Sequence, residues 1–138
     1  MLSVEGTAVT QDDPLNGLTG SVLDAGTINL TAQSGYVMGE RGALLDVHGT
    51  KALLDITETG GLFTSRQRRE IYGGAGAINV TAAEGIYFDG TFNADGATAL
   101  APRGSLSMVL DANSRGDDST FTPEALGLPV GPRVIRVA

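Results

Sequence analysis

A chain of 138 residues is long enough for one compact domain or for a few turns of a repeat protein. Its 16 acidic and 9 basic residues give a formal net charge of −7, which argues against nucleic-acid binding and against docking on an anionic membrane. The absence of cysteine excludes disulfides, while 20 glycines and 41% apolar residues suit short strands joined by tight corners.

The amino-terminal residues Met1-Leu2-Ser3-Val4-Glu5 have neither the basic nor the apolar region of a signal peptide. No apolar run reaches the roughly 20 residues of a membrane-spanning helix, so no membrane insertion is expected. These observations leave either a cytosolic protein or an internal segment of a longer exported one. The repeat that follows favours the second.

An internal repeat organises most of the chain. Residues 25–36 read AGTINLTAQSGY and residues 75–86 read AGAINVTAAEGI. A looser copy is predicted at residues 51–56 and a fourth at residues 104–110. Strands that begin at residues 27, 51, 77 and 105 are 24, 26 and 28 residues apart, which indicates stacked coils with variable corner loops.

Each copy alternates apolar and polar residues with the period of two that is typical of β-strands. Shorter alternating runs and glycines lie between the copies, and no stretch has helical periodicity. The sequence therefore predicts an all-β fold of the β-solenoid type. The predicted inward-facing residues are Ile28, Leu30, Ala32; Ala52, Leu54, Ile56; Ile78, Val80, Ala82; and Leu106, Met108, Leu110.

Two segments interrupt the repeat. Residues 58–74, flanked by glycine pairs, and residues 111–133, with three prolines, are predicted to be irregular loop excursions. A last strand is expected at residues 134–137, and the natural chain is expected to continue beyond Ala138 because no cap follows. The domain prediction is one segment over residues 1–138 of a larger protein, with coils at about residues 20–112.

The excursions hold two candidate binding groups. Arg115, Gly116 and Asp117 form an RGD tripeptide, whose paired cation and carboxylate suit an integrin-type receptor, although chance often produces it in Gly-rich loops. Arg66, Arg68 and Arg69 gather a third of the basic residues within four positions. They suit an anionic glycan or a processing protease, although a solvated loop tip is the commoner role.

No convergent catalytic set is visible. His48 is the single histidine, so we predict a surface residue and no metal site. Paired carboxylates could cleave polysaccharides, but no tight pair falls on a predicted strand. No glycine cluster carries the Lys-Ser/Thr of a phosphate loop. We therefore predict no enzymatic activity and no cofactor. The aspartates considered are Asp46, Asp55, Asp89, Asp95 and Asp111.

Over about residues 20–112, the chain resembles the filamentous haemagglutinin family of two-partner-secretion exoproteins. The resemblance is carried by GTINLTAQSGYVMGERGALLDVHG, GAINVTAAEGIYFDGTFNADG and GSLSMVLDA. It implies a right-handed parallel β-helix, an outer-membrane transporter partner, and secretion to the bacterial cell surface. It also implies adhesion and virulence, as a structural or adhesive shaft segment that contacts a host-cell receptor or extracellular glycan.

Two other functions remain open from the residues alone. A carbohydrate-binding or polysaccharide-degrading β-helix would need carboxylates or aromatic side chains along one face, and the chain has three tyrosines and no tryptophan. A β-sandwich binding module would need hairpin turns, and Asn16-Gly17 is the single Asn-Gly pair.

Overall fold

The computed structural model describes residues 1–60, 63–111 and 134–138. Within these ranges the protein is all-β and contains no helix, which confirms the predicted class. None of the described residues belongs to a helix that could cross a membrane. The strands are β1 (Leu2–Ser3), β2 (Thr7–Asp13), β3 (Gly17–Leu23), β4 (Thr27–Ala32), β5 (Tyr36–Asp46), β6 (Lys51–Gly60), β7 (Phe63–Tyr72), β8 (Ala77–Ala82), β9 (Gly85–Asn93), β10 (Ser105–Leu110) and β11 (Val134–Val137).

Seven of these strands form two parallel sheets, with the orders β1-β5-β9-β11 and β4-β8-β10. The chain alternates between them, so that β4 is followed by β5, β8 by β9 and β10 by β11. The repeat copies pair residue for residue: Ile28 lies opposite Ile78, and Ile78 lies opposite Leu106. Because side chains alternate between the two faces of a strand, this register stacks like residues into rows.

The prediction that residues 51–56 form a looser copy of the repeat is wrong. Strand β6 pairs antiparallel with β7, with Lys51 opposite Tyr72, and does not join either parallel sheet. The segment predicted as an irregular excursion at residues 58–74 is therefore mostly regular hairpin. Residues 27 and 77 begin neighbouring strands of one sheet, and the insertion of hairpin β6–β7 accounts for their wide separation in the sequence. Strict alternation fits a hairpin and a stacked strand equally well, which is why the pattern misled.

A second hairpin, β2–β3, was not predicted. Its turn contains the Asn16-Gly17 pair, and Gly17 has a φ of +75°, a conformation that glycine adopts without strain. The Asp13 carboxylate closes the turn by accepting hydrogen bonds from the backbone N–H groups of Leu15 and Asn16, at 2.8 and 3.1 Å.

Both hairpins leave the parallel sheets at corresponding corners. The N–H of Gly6 donates to the carbonyl of His48, and that of Gly49 donates to Asp95, so the segments before the hairpins are stacked. The segments after them are stacked too, since Ala25 donates to Gly74 and Ala75 donates to Pro102. At the third corner, residues 97–101 make a short turn instead of a hairpin.

The main core lies between the two parallel sheets. Ile78 and Ile86, from opposite sheets, are fully buried, and each contributes about 1.5–3 kcal/mol of apolar burial. Gly39 lies under the ring of Phe88, and a Cβ there would come within 2.3 Å of that ring. The core cluster consists of Ile28, Leu45, Val47, Ile78, Val80, Ala82, Ile86 and Phe88.

The predicted inward-facing rows hold in β4 and β8 but are interrupted elsewhere. Leu106 continues the row of Ile28 and Ile78, yet it is 46% exposed because β10 is the edge of its sheet. Leu54 is buried but lies outside the main core cluster, in hairpin β6–β7. Ala52 and Ile56 are on the same hairpin strand. The predicted connection at 111–133 lies outside the described residues apart from Asp111.

Candidate functional site

The predicted basic group lies on strand β7, where two of its three arginines form ion pairs. Arg69 Nη2 is 2.6 Å from Glu58 Oε1, and Arg68 Nε is 3.5 Å from Asp55 Oδ1, both across the hairpin from β7 to β6. Arg66 donates to the backbone carbonyl of Leu15 in the other hairpin. Exposed pairs of this kind contribute only about 0–1 kcal/mol each, but they neutralise the cations that a glycan would bind.

A second interaction of Asp55, a hydrogen bond from β3, holds the two hairpins together. Its Oδ2 accepts a hydrogen bond of 2.9 Å from the backbone N–H of Leu18, while Oδ1 faces Arg68. Asp55 is therefore explained by docking of the two hairpins. The other predicted site, Arg115, Gly116 and Asp117, lies outside the described residues.

A corner group forms where β5 ends. Asp46 is 7% exposed, and its Oδ1 lies 2.7 Å from His48 Nδ1 and 3.1 Å from the His48 backbone nitrogen. His48 Nε2 lies 3.6 Å from Glu5 Oε2. Burial alone would raise the pKa of Asp46, but hydrogen bonds from His48 and Asn93 outweigh it and hold that pKa below its usual value.

The ligand atoms of Glu5, Asp46 and His48 lie within 4.8 Å of one another, a spacing that a divalent cation could bridge. However, Asp46 already accepts two hydrogen bonds from His48. The arrangement can therefore have a purely structural role, in which it fixes the backbone of the corner after β5. The histidine predicted as a plain surface residue is thus half-buried and tied to two carboxylates.

Aromatic and charged side chains share one outer face of the sheet β1-β5-β9-β11. Residues alternate in β9, so that Ile86 and Phe88 point into the core while Tyr87 and Asp89 lie on the opposite face. Met38 and Arg136 are the register neighbours of Tyr87 on either side. A groove of about 330 Å³ opens here, lined by Met38, Gly39, Glu40, Tyr87, Phe88, Asp89, Arg136 and Ala138.

Local backbone features shape this tyrosine face. The rings of Tyr36 and Tyr87 are 5.8 Å apart, and Gly85 gives them room, because a Cβ there would come within 2.9 Å of the Tyr36 ring. A bulge between Gly39 and Ala43 sets Arg41 3.4 Å from the Asp89 carboxylate. Burial raises the pKa of the Tyr36 hydroxyl, and the charge of Glu84 raises it further.

This face combines the groups that bind a polyhydroxylated ligand. Tyrosine rings offer flat apolar surface, the carboxylates of Glu40 and Asp89 accept hydrogen bonds, and the guanidinium of Arg136 donates them. The sequence placed Tyr36 and Tyr87 in alternating runs without joining them into a site. Their proximity depends on the pairing of β5 with β9, which no local pattern reports.

Comparison with known proteins adds no relative: no protein-family model matches the chain, and neither a curated protein nor a solved structure matches it. A functional interpretation therefore depends on the geometry above and on the resemblance of the repeat. The prediction that the chain is not an enzyme stays a prediction.

Proposed function

We propose that this chain is a segment of a right-handed parallel β-helix, and that it serves as a structural and adhesive part of a larger surface protein. The observation that carries the proposal is the stacking of β4, β8 and β10 in one register while the chain passes through the second parallel sheet between them. Crossovers between parallel strands of one sheet are right-handed in about 98% of cases, which supports the handedness.

The resemblance to filamentous haemagglutinin exoproteins supports the adhesive role, the secreted or cell-surface location and a transporter partner. In such a scaffold the stacked strands provide rigidity, and the segments that leave them carry recognition. Hairpins β2–β3 and β6–β7 are two such segments, and residues 115–117 remain a third candidate. We propose no catalysis, cofactor or nucleic-acid partner for it.

Attachment of host cells or matrix proteins to the immobilised 138-residue chain tests the adhesive role. Asp117→Glu retains the charge but lengthens the side chain, so it spoils an integrin-type fit, and Asp118→Glu is the matched control. We expect attachment to fall with Asp117→Glu and to persist with Asp118→Glu. Absence of attachment by the unaltered chain would contradict an adhesive segment and leave a passive spacer.

A second candidate function, carbohydrate binding, is favoured by the tyrosine face. Tyr87→Ala removes the central ring, while Tyr72→Ala removes a tyrosine that is 39% exposed on hairpin β6–β7. We expect glycan binding on an array to be lost in the first variant and retained in the second. Equal binding by both would place any sugar contact elsewhere, and release of reducing ends from a bound polysaccharide would make the protein an enzyme.

A further inference from the structure

The corner group of Glu5, Asp46 and His48 is assembled from two backbone segments that are already joined. The N–H of Val4 donates to the carbonyl of Asp46, and the N–H of Gly6 donates to the carbonyl of His48, each at 2.9 Å. Glu5 lies between these two bonds, so its side chain starts from a fixed position beside His48. The ligand atoms of the group are therefore held near one another before any ligand arrives, as a binding site requires.

Asp46 determines which ring nitrogen of His48 is free. Its Oδ1 lies 2.7 Å from His48 Nδ1, and a carboxylate accepts hydrogen bonds without donating any. Nδ1 therefore carries the hydrogen, and Nε2 of the neutral ring presents a lone pair towards Glu5. Histidines that bind metal ions have this arrangement, in which the other ring N–H is donated to a carboxylate that orients the ring.

The distance between His48 Nε2 and Glu5 Oε2 suits a shared metal ion better than a shared proton. The two atoms are 3.6 Å apart. A charge-assisted N–H···O hydrogen bond would bring them to about 2.7–2.9 Å. Two ligand atoms bound to one tetrahedral Zn²⁺ at about 2.0–2.1 Å lie about 3.3–3.4 Å apart, which is closer to the observed spacing.

The hydroxyl of Ser3 is an unsatisfied polar group beside this corner. Its oxygen is buried, and none of the described residues forms a hydrogen bond with it. Ser3 is the register partner of Asp46, and paired residues of a parallel sheet project from the same face, so the hydroxyl and the Asp46 carboxylate are neighbours. A buried hydroxyl without a protein partner indicates an ordered water or an ion nearby, and a metal-bound water would provide the missing partner.

We propose that this corner binds one divalent transition-metal ion, and that Zn²⁺ fits it best. Glu5 Oε2 and His48 Nε2 bind the ion directly, Asp46 orients the imidazole, and water completes the coordination. The imidazole ligand favours Zn²⁺ over Ca²⁺ and Mg²⁺, which prefer oxygen ligands. The inference departs from the sequence prediction, in which a single histidine was too few for a metal site.

The proposed ion has a structural role, which goes beyond the proposed adhesive function. It links the segment before hairpin β2–β3 to the segment before hairpin β6–β7, because Glu5 directly precedes the first hairpin and His48 the second. Solvent reaches both ligands, since the side chains of His48 and Glu5 are 37% and 54% exposed. The ion would therefore fix the corner from which both hairpins leave the parallel sheets.

Calorimetric titration of the full chain with ZnCl₂, without a histidine tag, tests the site. Glu5→Gln removes one ligand, and Glu70→Gln is the matched control, because it removes the same charge from an exposed glutamate on β7. We expect one Zn²⁺ per chain, binding at least about tenfold weaker in Glu5→Gln and unchanged in Glu70→Gln, and much weaker binding of Ca²⁺. Absence of Zn²⁺ binding by the unaltered chain, or equal weakening in the two variants, overturns the proposal.

Nuclear magnetic resonance of the imidazole tests the binding mode without any variant, so the result does not depend on how a substitution affects folding. His48 is the single histidine, and its two ring nitrogens can be followed separately by ¹⁵N shifts. We expect excess Zn²⁺ to shift the Nε2 signal while Nδ1 keeps its hydrogen. An unchanged spectrum, or loss of the hydrogen from Nδ1, would contradict the proposed coordination.

Discussion

Ile78 and Asn79 are neighbours in β8 that face opposite ways. Ile78 is fully buried between the register partners Ile28 and Leu106, whereas Asn79 bonds to Asn29 on the outer face. Ile78→Asp removes about 1.5–3 kcal/mol of apolar burial and adds the larger cost of a buried charge, so we expect it to unfold the chain. Asn79→Asp should cost less than about 1 kcal/mol, because the Asn29 amide can turn and donate. Urea denaturation compares the two, and similar midpoints would contradict the assigned faces.

Asp46 gives the stability of the fold a dependence on acid. Its pKa is lower in the folded protein than the ordinary value of 3.8, because hydrogen bonds from His48 and Asn93 outweigh the effect of burial. The ionised carboxylate therefore stabilises the fold fully above about pH 4, and that stabilisation is lost as the pH falls through the folded pKa.

Asp46→Asn should remove this part of the acid dependence and cost about 1.5–3 kcal/mol at neutral pH, the usual contribution of hydrogen bonds to a charged group. Urea midpoints measured between about pH 2 and pH 7 test the expectation. Asp12 is exposed in hairpin β2–β3, so Asp12→Asn is the control, and its urea midpoints should follow those of the unaltered chain. A parallel acid dependence in all three proteins would show that the corner group does not contribute.

At the scale of elements, hairpin β6–β7 is an insertion that the parallel sheets do not need. Its two ends are already adjacent, since the N–H of Gly73 donates to the carbonyl of Thr50 at 2.8 Å. The corresponding corner at residues 97–101 closes with a short turn. We therefore expect a chain in which residues 51–72 are replaced by Gly-Gly to keep both parallel sheets, so that its circular dichroism remains that of a β protein and loses only the signal of the hairpins.

The same deletion should leave hairpin β2–β3 less ordered, because Asp55 and Arg66 no longer hold Leu18 and Leu15. Faster amide hydrogen exchange at Leu18, with unchanged exchange at Ile78, is the expected signature. Loss of all protected amides would contradict the description of this hairpin as an insertion.

The sequence predicted the strands that belong to the internal repeat. It missed the two hairpins, whose strands pair with partners of unrelated sequence. The match of residues 26–32 with 76–82 correctly identified strands that pair in register. Leu54 was correctly expected to be buried, but alternation could not say whether its strand stacked on β4 or folded back on β7. In hairpin β2–β3, the Asn16-Gly17 pair was the one local signal of a turn. The two strands were not recognised because polar residues interrupt their apolar pattern.

The candidate sites follow the same division. Arg66, Arg68 and Arg69 were noticed as a group in the sequence, but the acidic partners of Arg68 and Arg69 on β6 became neighbours only through the hairpin register. Tyr36 and Tyr87 are 51 positions apart, and His48 meets Glu5 across two levels of the sheet. Contacts of this kind are set by topology, so a single sequence gives no local sign of them.

At the scale of the whole molecule, stability should be graded from the middle of the sheets to their ends. Strands β8 and β9 each have a parallel partner on both sides, whereas β4, β10 and β11 are edges and β1 has two paired residues. In stacked folds each level is stabilised mainly by its neighbours, so the outer levels open at lower cost than the central ones.

Amide hydrogen exchange on the unaltered chain at low concentration measures this gradient. We expect the slowest exchange at Ile78, Val80 and Ile86, and exchange faster by at least about tenfold at Leu106, Met108 and Ile135, because their levels have one neighbour instead of two. Ile78→Val, which removes one methylene at a buried position, should accelerate exchange in all central amides together. Uniform exchange throughout both sheets would mean that the chain opens as one unit, and that the ends are as firmly held as the middle.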